Sequence, residues 1–157
     1  MKLKLSLYAT LSLMTLSLIS CGESYQDTYM GVARLDQATC PPYAEGDYDV
    51  KVNAQVSGSD FTLSMADMTA HGTSNRDKSF DIFRQATASG GIGTTRFDFD
   101  QVIPGENAGS RYEITLGGDL SSSRDKLSFV WFVHMIDPTK SIDCTLRLTA
   151  VGLEIAR

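Results

Sequence analysis

The sequence is poor in the residues that most often carry chemistry or contact nucleic acid. Its 157 residues include three cysteines, two histidines, one tryptophan and no run of basic residues. The 14 Lys and Arg are outnumbered by 19 Asp and Glu, which gives a net charge of −5. An acidic chain without basic clusters is repelled by phosphate backbones, so we expect no nucleic-acid partner.

The short motifs that would identify a reaction are missing as well. No HExxH, CxxC, GxSxG or EF-hand pattern occurs, so zinc, serine-hydrolase and calcium assignments lack their usual spacing. Gly90, Gly91, Ile92 and Gly93 form a glycine-rich run, but no Lys-Ser/Thr pair follows it as a phosphate loop requires. We therefore expect no cofactor, and the sequence favours a role other than catalysis.

The only long apolar run lies at the start of the chain. Lys2 and Lys4 precede an apolar stretch at residues 5–19, which is interrupted by several Ser and Thr residues. A membrane-spanning helix needs about 20 mainly apolar residues, so this stretch of about 15 is short for one. A positive start, a short apolar region and the small Ser20 at its end predict an export signal over residues 1–20.

The end of this leader, Leu18-Ile19-Ser20-Cys21, resembles the lipobox of bacterial lipoproteins. The resemblance implies that Cys21 becomes the mature N-terminus and carries acyl chains such as palmitate, which would bind the membrane. Gly22 stands where an Asp would favour inner-membrane retention, so the resemblance implies the outer membrane. The alternatives are an ordinary signal peptide with a chance cysteine and a single spanning anchor. The resemblance ends at about residue 22, and the rest of the chain resembles no family.

Removal of the leader leaves 137 residues, with 12 basic against 19 acidic side chains and a net charge of −7. This length suits one domain with a real hydrophobic core. We expect the domain to occupy residues 40–157 and residues 21–39 to form an acylated N-terminus and tether. A flexible tether of this length reaches roughly 23 Å. Residues 28–35 could instead add an edge strand.

From Gly46 onward the sequence alternates apolar and polar residues, which is typical of half-buried strands. Segments rich in Gly, Ser, Asn, Asp and Pro separate them, as turns require. Trp131 lies in the most apolar segment, which we expect to be central, buried on both faces and anchored by the indole. The pattern predicts seven strands, at residues 48–56, 61–65, 80–86, 97–102, 112–116, 127–135 and 146–155.

Short strands at regular spacing predict an all-β domain, built as an up-and-down meander of seven or eight antiparallel strands. Seven strands cannot close as a wholly antiparallel barrel. The sequence therefore leaves two architectures open, a small antiparallel sandwich and a partly open or closed barrel in which residues 28–35 supply the eighth strand.

Cys40 and Cys144 form an even pair once Cys21 is assigned to lipid, and disulfides persist in exported proteins. In a meander the start of the first predicted strand and the start of the seventh lie at the same end. The two cysteines flank those positions, so we expect a disulfide bond between them. The alternative is two unrelated buried thiols.

The same alternation of strand direction places both histidines at the cysteine end, together with acidic and amide side chains. Imidazoles near carboxylates can bind a transition metal or relay protons. This suggests an alternative function, a small hydrolase or metal-binding protein. Loops are naturally polar, however, and His134 could simply be a satisfied side chain at a strand end. The candidate metal ligands are His71, His134, Glu106 and Asp137, and the same loops also contain Asn75, Asp77 and Asn107.

The opposite end is predicted to carry small-residue loops that face away from the tether. The segment with Gly90, Gly91, Ile92 and Gly93 is interpreted as a mobile hairpin loop that could bind a partner. Asp98 and Asp100 share one strand face with Arg96, and a solvated sheet face explains them better than a Ca²⁺ or glycosidase site.

These observations favour an outer-membrane lipoprotein whose small β domain works by binding or envelope scaffolding rather than catalysis. Its partner could be an envelope protein, a glycan or a small apolar ligand.

Overall fold

The computed structural model describes residues 24–74 and 79–157. The predicted leader, Cys21, Asn75 and Asp77 lie outside these residues. The described chain forms eight strands, one short α-helix and a 3₁₀ turn at Pro138–Lys140. The strands and helix are β1 Ser24–Ala38, β2 Gly46–Ser57, β3 Asp60–Ala70, α1 Ser79–Gln85, β4 Ala88–Gly91, β5 Arg96–Pro104, β6 Arg111–Leu120, β7 Lys126–Asp137 and β8 Ile142–Ile155.

All eight strands belong to one antiparallel sheet with the order β4-β3-β2-β1-β8-β7-β6-β5. Its two edge strands approach each other through an isolated bridge between Ile92 and Phe97. The Ser89 amide also donates to the side chain of Gln101 across this seam, at 2.8 Å. The sheet is therefore nearly closed into a barrel, which confirms the all-β prediction and selects the barrel over the sandwich.

Alternate residues of each strand point into the barrel, where they form a single hydrophobic core. Phe61 and Phe97 stack with ring centroids 4.2 Å apart, and Phe129 meets Trp131 edge to face. Trp131 is fully buried, as predicted, although its indole N–H has no hydrogen-bond partner within the described ranges. Val130 and Phe132 are only half-buried, since their side of β7 faces outward. The prediction that this strand is buried on both faces was therefore wrong.

The segment predicted as a strand at residues 80–86 is instead mostly α1. Phe80, Ile82, Phe83 and Ala86 are buried, whereas Arg84 is exposed. In so short a segment, apolar residues spaced for one helical face also fit a strand, so the periodicity could not separate the two. Phe83 packs edge to face against Trp131, with ring centroids 5.3 Å apart.

The fourth strand comes from a segment that we predicted as a loop. β4 pairs with the first part of β3, from Asp60 opposite Gly91 to Leu63 opposite Ala88. Its four residues, Ala-Ser-Gly-Gly, carry almost no side-chain pattern, because their contribution to the barrel is made through the backbone.

Most of the predicted tether is also a strand. β1 pairs with β2 over twelve residues and with β8 on its other side, so it lies inside the sheet and is not an edge strand. Register shifts occur between Met30 and Ala33 and between Leu35 and Gln37, and these β-bulges break the alternation that sequence reasoning relies on. The folded domain thus includes Ser24–Ala38, which the sequence had assigned to the tether.

The barrel has two ends, which we name by a feature of each. The disulfide end carries residues 39–45, 71–74, 105–110 and 138–141, as the predicted strand directions require. The Ser24 end carries the turns at residues 58–59, 92–95 and 121–125 together with the first residue of β1 and residues 156–157. Because β1 starts there, the small-residue loops lie at the same end as Ser24, contrary to the prediction that they face away from the tether.

Candidate functional site

Cys40 and Cys144 meet at the disulfide end as predicted. Their sulfur atoms are 2.07 Å apart and their Cα atoms 4.9 Å apart, which are disulfide distances. The neighbouring Thr39 and Thr145 exchange hydrogen bonds, with the Thr39 amide donating to the Thr145 carbonyl at 2.9 Å. The bond therefore joins the end of β1 to the start of β8, two strands that are already paired in the barrel.

His134 lies on the outer face of β7 between two carboxylates. Its Nδ1 is 3.0 Å from Glu113 Oε2, and its Nε2 is 2.7 Å from Asp143 Oδ1. The hydrogen bond to Asp143, aided by Glu113, raises the pKa of His134, while Arg111 and then His134 lower the pKa of Glu113. An imidazolium donates to both carboxylates, so this arrangement leaves no ring nitrogen free for a metal or for accepting a substrate proton.

His71 belongs to a different network. Its Nδ1 is 2.8 Å from Asp49 Oδ1 on β2, and this hydrogen bond lowers the pKa of Asp49. In the sheet, β2 and β7 are separated by β1 and β8, a distance of about 14 Å along the sheet. The two histidines therefore hold different carboxylates and do not face a shared one, as the hydrolase interpretation would require.

Asp137 is the most deeply buried charged side chain in the described ranges, with 6% of its surface exposed. It accepts hydrogen bonds from the Thr139 and Lys140 amides, the Thr139 hydroxyl and the Asn107 side-chain amide. These bonds, led by those from Thr139, lower the pKa of Asp137. The carboxylate caps the 3₁₀ turn and ties it to residues 105–110, which is a structural role.

Glu106 and Asp137 line one small cavity of about 150 Å³ at this end, together with Tyr112. The Tyr112 hydroxyl donates to the side chain of Gln85 on α1. Burial, and then the carboxylates of Glu106 and Asp137, raise the pKa of Tyr112.

Of the four residues proposed from sequence as metal ligands, only Glu106 and Asp137 share a site, and neither histidine lines it. Across residues 24–74 and 79–157, no group of three or more His, Cys, Asp or Glu side chains is placed to hold a metal ion.

Half of the predicted partner-binding loop belongs to the barrel wall. Gly90 and Gly91 belong to β4, Ile92 forms the bridge to Phe97, and the Gly93 amide donates to the Arg96 carbonyl at 2.8 Å. A Cβ on Gly90 would collide with the ring of Phe99, so glycine allows β5 to pack closely here. Gly90 and Gly91 therefore lie in a strand of the barrel wall, whereas Ile92 and Gly93 belong to the turn that joins β4 to β5, so the loop is shorter than the sequence suggested.

A larger concave surface lies on the outside of the barrel, along β6. It consists of two adjoining depressions of about 360 Å³ and 380 Å³, which we call together the β6 groove. The first lies over Gly117, between Asp98 on β5 and Val130 on β7. The second lies two residues along each strand, between Asp100 and Phe132 with Thr115 as its floor, and it extends to Glu113 and His134.

The β6 groove combines apolar walls with an acidic rim. Val130, Val151 and Phe132 supply the apolar surface, and Val151 is the most exposed large apolar residue that the structure describes. Asp100 accepts a hydrogen bond from the Thr115 hydroxyl at 2.6 Å. Four carboxylates line the groove against two basic side chains; these are Asp98, Asp100, Glu113 and Asp119 against Arg96 and His134.

Sequence reasoning missed this groove because Gly117 and Gly118 were interpreted as part of a turn. In the structure both belong to β6, and the turn occupies residues 121–125. A Cβ on Gly118 would collide with Phe97 and with the β7 backbone, whereas Gly117 faces outward and lowers the floor of the groove. The sequence did contain one signal for the groove, the adjacent Gly117 and Gly118 at the end of an alternating segment. Glycine inside a strand often marks a close approach of another chain segment or a gap beside the strand.

Comparison with known protein families, with curated proteins and with solved structures gave no match. Among the described residues, no helix is long and apolar enough to cross a membrane.

Proposed function

We propose that this protein is a lipid-anchored protein of the outer membrane that binds an envelope partner without catalysis. The occupant that we propose for the β6 groove is an extended segment of another protein that carries both basic and apolar side chains. The anchor would be the acylated Cys21, and the folded barrel would present the groove.

The location is supported by the leader and by the cysteine pair. A positive start, a short apolar region and the lipobox-like Leu18-Ile19-Ser20-Cys21 are consistent with export and acylation. Cys40 and Cys144 lie at disulfide distance, and disulfides are typical of oxidising compartments outside the cytoplasm. Stable anchoring requires more than one acyl chain, which the lipoprotein resemblance would supply.

The β6 groove is the observation that carries the binding proposal. The barrel interior is filled by aromatic and aliphatic side chains, including Trp131, Tyr29 and Phe61, so a ligand of appreciable size would have to bind outside. The groove is a concave, largely apolar surface on the outside of the barrel, and its two depressions reach the volume of ordinary ligand sites.

The charge around the groove favours a partner segment that is basic. Four carboxylates against two basic side chains make the rim acidic, so a basic segment would be attracted and an acidic one repelled. The exposed Val151 and the half-buried Val130 beside Gly117 would receive apolar side chains of the same segment. An extended strand alternates its side chains, so one segment can present both kinds.

Anchoring is tested by Cys21→Ala in cells. We expect the variant to move from the membrane fraction to the soluble fraction, and mass spectrometry of the native protein to show an acylated Cys21 as first residue. Continued membrane association of the variant, or an intact Met1 in the native protein, would contradict the proposed anchor.

The groove is tested by photo-crosslinking of the acylated protein in cells. A photoreactive amino acid replaces Val130 inside the groove or, as control, the exposed Gln55 on the outer face of β2. We expect a protein adduct from position 130 only, and its several-fold loss when Gly117→Leu fills the groove. Gln55→Leu is the matched control and should leave the adduct unchanged.

Three results would contradict the proposed partner: no adduct at position 130, an adduct that Gly117→Leu does not reduce in a folded protein, or an adduct that consists of glycan. Circular dichroism of the Gly117→Leu variant provides the check that the barrel is intact.

A further inference from the structure

The structure leaves very little chain between the proposed lipid anchor and the barrel. β1 begins at Ser24, three residues after Cys21. Three residues span at most about 11 Å even when fully extended. The long tether suggested by the sequence is therefore absent, and the first residue of β1 must stay within about 11 Å of an acylated Cys21.

The start of β1 is held firmly in the barrel. The Tyr29 hydroxyl donates to the Arg124 carbonyl at 2.8 Å, and the Ala156 amide donates to the Thr28 carbonyl at 2.7 Å. The Arg124 guanidinium lies over the ring of Tyr25, 4.3 Å from its centroid. Because these contacts join β1 to the 121–125 turn and to residue 156, the start of β1 is fixed relative to the whole Ser24 end.

We propose that the Ser24 end is a membrane-contact surface that rests on lipid headgroups, with the disulfide end directed away from the membrane. This inference rests on the acylation of Cys21 proposed above. It adds an orientation that acylation alone does not provide, since a long tether would let the domain turn freely.

The charges of the two ends favour the same orientation. Counting the described loop residues and one strand residue on each side, the Ser24 end has more basic than acidic side chains, and the disulfide end has more acidic than basic ones. An anionic lipid surface attracts the first and repels the second over about one Debye length. The residues are Arg96, Arg124, Lys126 and Arg157 against Asp60 and Asp125, and Glu45, Glu106 and Asp137 against Arg111 and Lys140.

The small residues of the Ser24 end also suit a headgroup surface. Ser59, Ser122 and Thr94 are exposed there, and short hydroxyl side chains can donate hydrogen bonds to lipid phosphates. No large apolar residue is exposed in the three turns of this end, so we expect contact with headgroups and not insertion into the hydrocarbon.

The test uses the acylated full-length protein, purified in its disulfide-bonded form and reconstituted in vesicles of phosphatidylcholine and phosphatidylglycerol. A fluorophore is attached to Ser122→Cys at the Ser24 end or to Ala108→Cys at the disulfide end, both exposed loop positions. Lipids with a spin label on the headgroup quench fluorophores at short range. We expect the label at position 122 to be quenched several-fold more than the label at position 108.

Equal quenching at both positions, or stronger quenching at position 108, would overturn the orientation if the protein still floats with the vesicles. The anchor is tested separately by Cys21→Ala in the Ser122→Cys background. That variant should neither float nor be quenched, and its continued flotation would refute acylation without bearing on which end faces the lipid.

Discussion

The barrel wall is closed in two different ways along its length. Towards the Ser24 end, β4 extends the wall by pairing with β3, and it meets β5 through the bridge between Ile92 and Phe97, with Gly90 where the Phe99 ring approaches. Towards the disulfide end, β4 is absent and α1 covers the core instead, with Phe83 against Trp131 and Gln85 beside Tyr112.

This difference explains why the same region misled sequence reasoning twice. Closure by a strand uses backbone hydrogen bonds, which every residue type can make, so β4 could be built from Ala-Ser-Gly-Gly and resembled a loop. Closure by a helix needs large apolar side chains on one face, so α1 contains Phe80, Ile82 and Phe83 and resembled a strand. The hydrophobicity of a segment therefore indicated how much of it is buried. It did not indicate whether the segment forms a strand or a helix.

The largest expected loss of stability comes from truncating Phe83, the side chain of α1 that packs against Trp131 in the core. Phe83→Ala should lower the free energy of unfolding by about 3–5 kcal/mol, because it leaves a cavity beside Trp131. Arg84→Ala on the exposed side of the same helix should cost less than about 1 kcal/mol. Urea unfolding followed by circular dichroism measures both. Equal losses would show that α1 does not support the core, and Phe83→Leu is the milder variant if Phe83→Ala does not fold.

Removal of the covalent link at the disulfide end should have the next largest effect. The cysteines are 104 residues apart in sequence, so their bond restricts the unfolded chain strongly. The double variant Cys40→Ser/Cys144→Ser should lose about 2–5 kcal/mol of stability and melt at a lower temperature. Reductant should produce the same decrease in the native protein and none in the double variant. An unchanged melting curve would mean that the bond does not contribute.

Substitution of the glycines in β4 tests how the barrel is closed towards the Ser24 end. Gly90→Val should destabilise the barrel by about 1–3 kcal/mol, because the new side chain would collide with the Phe99 ring. Gly91→Val is the matched control, since the nearest atom to its Cβ would be the Ser59 carbonyl oxygen at 3.9 Å. Hydrogen exchange of the β4 and β5 amides should increase only in the first variant. Equal behaviour of the two variants would contradict closure by close packing at Gly90.

The smallest expected effect is a pH dependence of the disulfide end. The pKa of His134 is raised in the folded state, mainly by Asp143, so its contribution is complete below the ordinary histidine pKa of about 6.5. This contribution is lost as the pH rises through the raised value. The difference in melting temperature between the native protein and His134→Gln should therefore be largest near pH 6 and shrink above it. A difference that stays constant with pH would exclude the charged interaction.

Much of the fold could be predicted from local patterns. The alternation in β2, β3, β5, β6, β7 and β8 located those strands, and the direction of successive strands placed Cys40 beside Cys144. The bulges in β1 interrupted its alternation, which made a central strand resemble a tether. The proposed site was harder to predict from the sequence than the fold. The β6 groove depends on a gap above Gly117 between side chains of β5 and β7.

The all-β class, the acidic charge and the pairing of Cys40 with Cys144 could be derived from the sequence alone. They follow from residue type, from the alternation of apolar and polar residues along each strand, and from the reversal of direction between successive strands. The three-dimensional structure was needed to see that the sheet nearly closes, that a helix completes one half of the barrel, that His71 and His134 bind different carboxylates and that β1 begins at the same end as the small-residue turns. Each of those depends on which residues distant in sequence become neighbours across the barrel, and no local pattern contains that information.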